Sequence, residues 1–227
     1  MSDKPMIFSA EMVRALLDGQ KSQTRRRLKE QNSIADAVKI GGRYQWKSWK
    51  TGCTLGDVAA PYASGDRLWV RECWSGNHAF RETRPSQRSS FVGEGVPFFH
   101  DEVWYWADGS PEYGDWERPR PSIHMPRWAS RLTLLVTDVR VQRVQEINEA
   151  DAQAEGSFLG RCACMPPQNQ GDNINRMFRQ TRCIKCGQEF RDLWKSLHGP
   201  DAWARNDWVA AISFTVHSCN IDQMDAP

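Results

Sequence analysis

An amine, a hydroxyl and a guanidinium sit close together in Gly19-Gln20-Lys21-Ser22-Gln23-Thr24-Arg25-Arg26. A threonine hydroxyl is a poor nucleophile until a base removes its proton. A desolvated lysine is such a base, because burial disfavours its charged form. Arg26 would hold a substrate oxygen or phosphate, or brace the loop through a carboxylate. The same residues also describe a basic, solvated turn. The stretch just before them argues for rigid support. Ser9 is a good N-cap, and Met12, Val13, Leu16 and Leu17 fall on one helical face. Gly19 then supplies the left-handed residue that ends the helix. Lys21, Thr24 and Arg26 are therefore expected on an irregular stretch just past a firmly anchored helix end.

A second chemical signal is the cysteine set. Cys162-Ala163-Cys164 precedes Cys183-Ile184-Lys185-Cys186. Two closely spaced pairs are what a tetrahedral zinc ion needs, although C-x-C is tighter than the usual C-x-x-C. Four thiolates fill the coordination sphere, so Cys162, Cys164, Cys183 and Cys186 predict a structural zinc. The surrounding Gly, Pro, Asn and Gln could not make a core of their own. Residues 157–189 read as an insertion.

Two further clusters are candidates for lining a pocket. Arg71 and Glu72 end the strand that follows Gly65-Asp66. Ser122 to Trp128 packs an imidazole, a guanidinium and an indole into a few residues. Trp128 would suit stacking on a base, or equally a place in the core beside a strand. His124 has no serine or cysteine motif beside it, and no phosphate-loop or dinucleotide fingerprint occurs.

These residues must be positioned by something. The 227 residues suit one domain, 1–227, carrying insertions. A chain of that length can bury a sizeable core without disulfides. The net charge of +2 argues against a large phosphate footprint, and the basic runs at 25–29 and 81–88 are local. The 11 tryptophans are expected mostly in the core. No signal-peptide pattern or membrane-spanning apolar run is seen, which leads to an expected cytoplasmic location with thiols or metal ligands rather than disulfides. Strands are expected at 67–72, 103–107, 132–136, 139–144 and 208–216. Helices are expected after Asn148, ended by Gly156, and over 190–197, with Leu193, Trp194 and Leu197 inward. Many short strands with few helices suggest an α+β fold built on a small, partly open β-barrel.

The order of these parts resembles the ASCH family, whose fold is related to the PUA domain. The parts are the short helix, Gly19, Lys21 and Arg26, then Gly65-Asp66-Arg67-Leu68-Trp69-Val70, the strands from Arg131 to Val144, the helix from Asn148 to Glu155, and Phe190 to Val216. The string Met125 to Arg131 is similar to one in phage and prophage members. The resemblance leaves out 159–189 and much of 75–120. It implies a PUA-like barrel decorated with short helices.

Some small members are acetylcytidine amidohydrolases, and likeness to them implies a catalytic Lys and Thr in the opening motif and a Glu ending a later helix. Lys21 and Thr24 match by spacing, and Glu155 matches by its place at a helix end. Glu149 competes but lies in the first turn. In this reading Lys21 activates Thr24, and Glu155 protonates the leaving amine. The implied function is amide hydrolysis on an acylated or modified nucleobase or nucleoside. The alternatives are a non-catalytic module for RNA or modified DNA, and a ribonuclease.

Overall fold

A computed structural model describes residues 2–90, 103–156 and 184–224. In chain order its elements begin with β1 (Asp3–Ile7), α1 (Ala10–Leu17), β2 (Gln23–Arg27), β3 (Ala35–Ile40), β4 (Arg43–Ser48) and β5 (Thr54–Asp57). There follow β6 (Arg67–Arg71), β7 (Trp74–Gly76), β8 (Val103–Tyr105), β9 (Thr133–Arg143), α2 (Glu149–Ala154), α3 (Ile184–His198) and β10 (Trp208–His217). Short 3-10 turns fill several connections. The protein is α+β, with several sheets and few helices, and the described strands form no closed barrel.

The chain separates into two compact units. The first comprises Met1–Gly19, Ser64–Val136 and Phe214–Pro227, and the second Gln20–Ala63 and Thr137–Ser213. Strands β9 and β10 each begin in one unit and end in the other.

In the first unit, β1 pairs in parallel with β6, and β6 pairs antiparallel with the start of β9. Helix α1 starts where Ser9 Oγ accepts from the Met12 N–H and stops before Gly19, at φ +68°. Val13, Ala15 and Leu16 are buried on it, whereas Leu17, expected on the same face, is exposed. A core of Trp74, Val103, Met125 and Ala129 packs beneath Tyr105 and Trp128. Each large side chain so buried contributes roughly 1.5–3 kcal/mol.

Beside that core lies a charged triad. Glu117 accepts from Arg88 at 2.7 Å and 3.1 Å and from Arg120 at 2.9 Å and 3.2 Å. Gly76 makes room for it, since a Cβ there would collide with Arg88 Nη1. Gly76→Ala should therefore displace the Arg88 guanidinium and lower stability by about 2 kcal/mol. Chemical denaturation checks this, and a loss within a few tenths of a kcal/mol would mean the arginine simply moves aside.

In the second unit, β2 pairs antiparallel with β10, from Val209 opposite Arg27 to Ser213 opposite Gln23. The basic run was expected to be irregular. It carries no strand signature of its own, and pairing with the apolar β10 decides its conformation. Strands β3, β4 and β5 form a separate antiparallel sheet. The hairpin turn is Gly41-Gly42, at φ +58° and +84°, the two-residue turn that needs positive φ at both positions.

The two runs expected at 132–136 and 139–144 are one strand, β9, because Thr137 and Asp138 keep the extended conformation. The core here is Val144, Ala152, Phe190, Trp194, Ala202 and Val209. Phe190 and Trp194, one helical turn apart on α3, are buried, while Leu197 is 63% exposed rather than inward.

Of the tryptophans, Trp46, Trp74, Trp194 and Trp208 are buried. Only Trp49 is exposed, and the other six are half-buried. No described helix is long and apolar enough to cross a membrane.

Candidate functional site

The chemistry-bearing residues of the second unit meet where the chain entering β2 touches the end of α2. Helix α2 begins at Asn148, whose side chain accepts from the Asp151 N–H at 2.8 Å. It ends with Glu155 as C-cap and Gly156 in the left-handed region, at φ +68°. The Ser22 N–H donates to the Ala154 carbonyl at 2.9 Å and fixes the strand entry against that end. Lys21 is thereby held with its ammonium on Glu155. Nζ donates to the main-chain oxygen at 2.6 Å and to Oε2 at 3.1 Å. The side chains are 1% and 6% exposed.

A cation at a helix C-terminus and a carboxylate beside it is a favourable pairing. Both groups are nonetheless removed from water, which costs more than an exposed pair would. Burial pushes the Lys21 amine below the usual lysine range. The charge and hydrogen bond of Glu155 oppose that shift, and the positive charges of Arg26 and Arg25 add to it.

Glu155 is shared. Its Oε1 accepts from Arg25 Nη1 at 2.9 Å. Arg25 also donates to Gln23 Oε1 at 2.7 Å and to Asp151 Oδ2 at 2.9 Å. Asp151 Oδ1 accepts from Arg140 at 2.9 Å and from Gln23 at 3.3 Å. Burial raises the Asp151 carboxyl, but the Arg140 hydrogen bond and the charges of Arg25 and Arg140 hold it below the usual carboxylate range. The Arg25 guanidinium lies 5.6 Å from the Phe190 ring centroid. Lys21, Arg25 and Arg140 thus bond to two carboxylates, Glu155 and Asp151, with the charge of Arg26 close by.

Strand alternation sorts the rest of β2. Gln23 and Arg25 share the face that reaches Asp151 and Glu155. Thr24 and Arg26 lie on the other. Thr24 is buried, and Arg26 is half-buried. Burial pushes Arg26 below its usual value, against the charges of Tyr62 and Glu155. Lys21 precedes the strand, so alternation does not assign it to either face.

Arg71, Glu72 and Trp128 belong to the first unit. Arg71 donates through Nε to the Met125 carbonyl at 3.1 Å and through Nη2 to that of Ile123. Glu72 is 1% exposed and accepts both Nε and Nη2 of Arg131, at 2.9 Å and 3.0 Å. Burial raises the Glu72 carboxyl, with Arg131 pulling against it. Trp128 donates to the Pro85 carbonyl at 2.8 Å and packs edge-on against Trp74. It also borders a cleft of about 360 Å³ with Tyr105, Arg131 and Asn220.

Cys162, Cys164 and Cys183 lie outside the described residues, as does the side chain of Cys186. Among the described residues no group of three or more His, Cys, Asp or Glu side chains could hold a metal ion.

No family model matches this chain, and no curated protein and no solved structure matches it either. What the site can do must therefore be judged on its own geometry.

Sequence reasoning missed Arg25, Gln23, Asp151 and Arg140. Asp151 was visible only as a helix-start residue, and Arg25 was hidden in a basic run. Gln23-Thr24-Arg25 is an unbroken polar run, with no alternation of apolar and polar residues to mark a strand.

Proposed function

We propose that the second unit is an amidohydrolase centre acting on an acylated or otherwise modified nucleobase or nucleoside, in a PUA-like fold of the ASCH kind. The observation that carries this reading is the buried Lys21–Glu155 pair, with Nζ 3.1 Å from Oε2. An amine whose charged form is disfavoured, next to a carboxylate that can relay its proton, is the combination a general base needs. Lys21 takes the proton of the Thr24 hydroxyl. Thr24 Oγ1 attacks the amide carbonyl, and the tetrahedral intermediate collapses as a proton reaches the leaving amine through Glu155. Water then cleaves the acyl-threonine ester. Arg26 orients the substrate.

The test is a screen of acylated nucleosides against wild type and Lys21→Ala, read by mass spectrometry. Release of the free base by wild type and not by the variant is expected. No turnover of any acylated nucleoside by wild type would remove the proposal. Because the base must be neutral, turnover should rise with pH through the Lys21 titration. That limb should lie below the ordinary lysine range, the direction in which burial moves this amine.

A second reading is a non-catalytic binding module. Strand alternation favours it, since Thr24 and the Glu155-facing Arg25 lie on opposite faces of β2. Retained ligand affinity in Lys21→Ala and Thr24→Ala, without wild-type turnover, would select it.

Cys162, Cys164, Cys183 and Cys186 are proposed to bind one structural zinc in a cytoplasmic protein, on the strength of their paired spacing. Elemental analysis should find about one zinc per chain, and a metal-free chain whose insertion at 157–189 is well ordered would refute the assignment.

A further inference from the structure

We infer that Arg25 is the positioning residue of the Lys21–Glu155 pair: it clamps Glu155 and Asp151 with one buried guanidinium and supplies the balancing positive charge that frees the Lys21 amine to give up its proton. The inference rests on the reading of Lys21 as a base, but its principal test does not.

The geometry is a shared carboxylate. Glu155 offers Oε1 to Arg25 and Oε2 to Lys21, at 2.9 Å and 3.1 Å. Arg25 cannot rotate away without losing Asp151 and Gln23, at 2.9 Å and 2.7 Å. Gln23 is in turn tied to Asp151 at 3.3 Å and to Ser213 at 3.2 Å. Arg25 is 4% exposed, and its Nε is buried with no hydrogen-bond partner among the described residues. A planar fork that spans two carboxylates is something lysine cannot reproduce.

The charge count makes the same point. The groups acting on Lys21 are Glu155 from the end of α2 and Arg25 and Arg26 from β2. Asp151 and Arg140 form the next layer, through Arg25. Arginine keeps its proton at any working pH, so Arg25 on Glu155 and Asp151, Arg140 shared between Asp151 and Asp138, and Arg26 nearby already meet the carboxylate charge. Lys21 is the one cation of the cluster that can discharge. Removing Arg25 leaves Glu155 wholly to Lys21 and favours the ammonium. Removing the charge of Asp151 turns Arg25 more fully onto Glu155 and favours the free amine.

The test is an NMR titration of the lysine side chains in the full chain labelled with 15N and 13C, with Lys21 assigned from Lys21→Met. In Arg25→Gln the Lys21 midpoint should rise by about one pH unit or more, the usual effect of losing a nearby like charge. In Asp151→Asn, which keeps the side-chain shape, it should fall. Arg25→Lys restores the charge but not the fork, so its midpoint should return toward wild type while the rate on the substrate stays depressed. If Arg25→Gln does not fold, Asp151→Asn alone decides. An unchanged or oppositely moved midpoint in folded Arg25→Gln or Asp151→Asn overturns the inference. If the midpoints move as stated but no acylated nucleoside is turned over, the positioning role of Arg25 stands and the hydrolase reading falls.

Discussion

Lys21→Met should abolish amide cleavage, with a loss of roughly 10²–10⁴-fold or more, the usual range for removing a positioned general base. Methionine fills the volume of the buried stem without its amine. Glu155 retains Arg25 as a counter-charge at 2.9 Å, so no carboxylate is left unpaired. The fold should survive with the loss of the two hydrogen bonds to Glu155, about 1 kcal/mol each. Thr24→Ala should give a comparable loss of turnover for a different reason, the removal of the nucleophile. Thr24→Ser should retain much of the rate, because the hydroxyl persists. Single-turnover kinetics with a trapped acyl-enzyme would separate the two roles. Wild-type acyl transfer that survives Thr24→Ala would remove Thr24 from the chemistry and leave Lys21 to activate water.

The second large effect concerns stability and lies in the first unit. Glu117 bridges Arg88 and Arg120, and Arg88 is 7% exposed at its side chain. Breaking a buried pair by removing one partner costs about 3–5 kcal/mol, since the remaining charge stays out of water. Glu117→Gln should therefore lower stability by about 3 kcal/mol, measured by urea denaturation, and a loss under ~1 kcal/mol would show that Arg88 escapes to solvent.

The same group gives a pH signature. Burial pushes the Glu117 carboxyl up, but the Arg88 and Arg120 hydrogen bonds outweigh it and hold it at about 2, against an ordinary 4.5. A carboxyl lowered on folding contributes stability that is complete above the unfolded value. That stability is lost as pH falls from about 4.5 towards about 2. The contribution is roughly 3 kcal/mol, and Glu117→Gln should flatten that part of the acid-unfolding curve.

What could be read directly from the chain follows local physics. The limits of α1 and α2 were legible because Ser9, Gly19, Asn148 and Gly156 are capping residues whose action does not depend on distant partners. The meeting of Lys21 with Glu155 was legible only through family resemblance, since nothing between them in the chain indicates proximity. The parts missed depend on partners. Strand β2 owes its conformation to β10, and the polar run Gln23 to Arg25 looks like a surface until that pairing is known. The sheet at β3 to β5 has a local signal in the Gly41-Gly42 turn. Leu197 was placed inward by helical spacing, yet α3 turns its Phe190–Trp194 stripe to the core instead. Several spacings were compatible with amphipathicity, and packing chose among them.

The passage of β9 and β10 from one unit to the other has a consequence for biosynthesis. Each unit is assembled from separated stretches of chain, and both need residues of β10. The pairing of β2 with β10 cannot form until Trp208 to His217 have left the ribosome. Nascent chains must therefore hold β2 without its partner for most of translation, with an unpaired edge that invites association. Such long-range closure also slows folding once the chain is released. Expression at lower temperature, or with chaperones that shield extended segments, should raise the yield of native protein more than any change confined to the early residues. For the same reason neither unit can be obtained by a single cut in the chain.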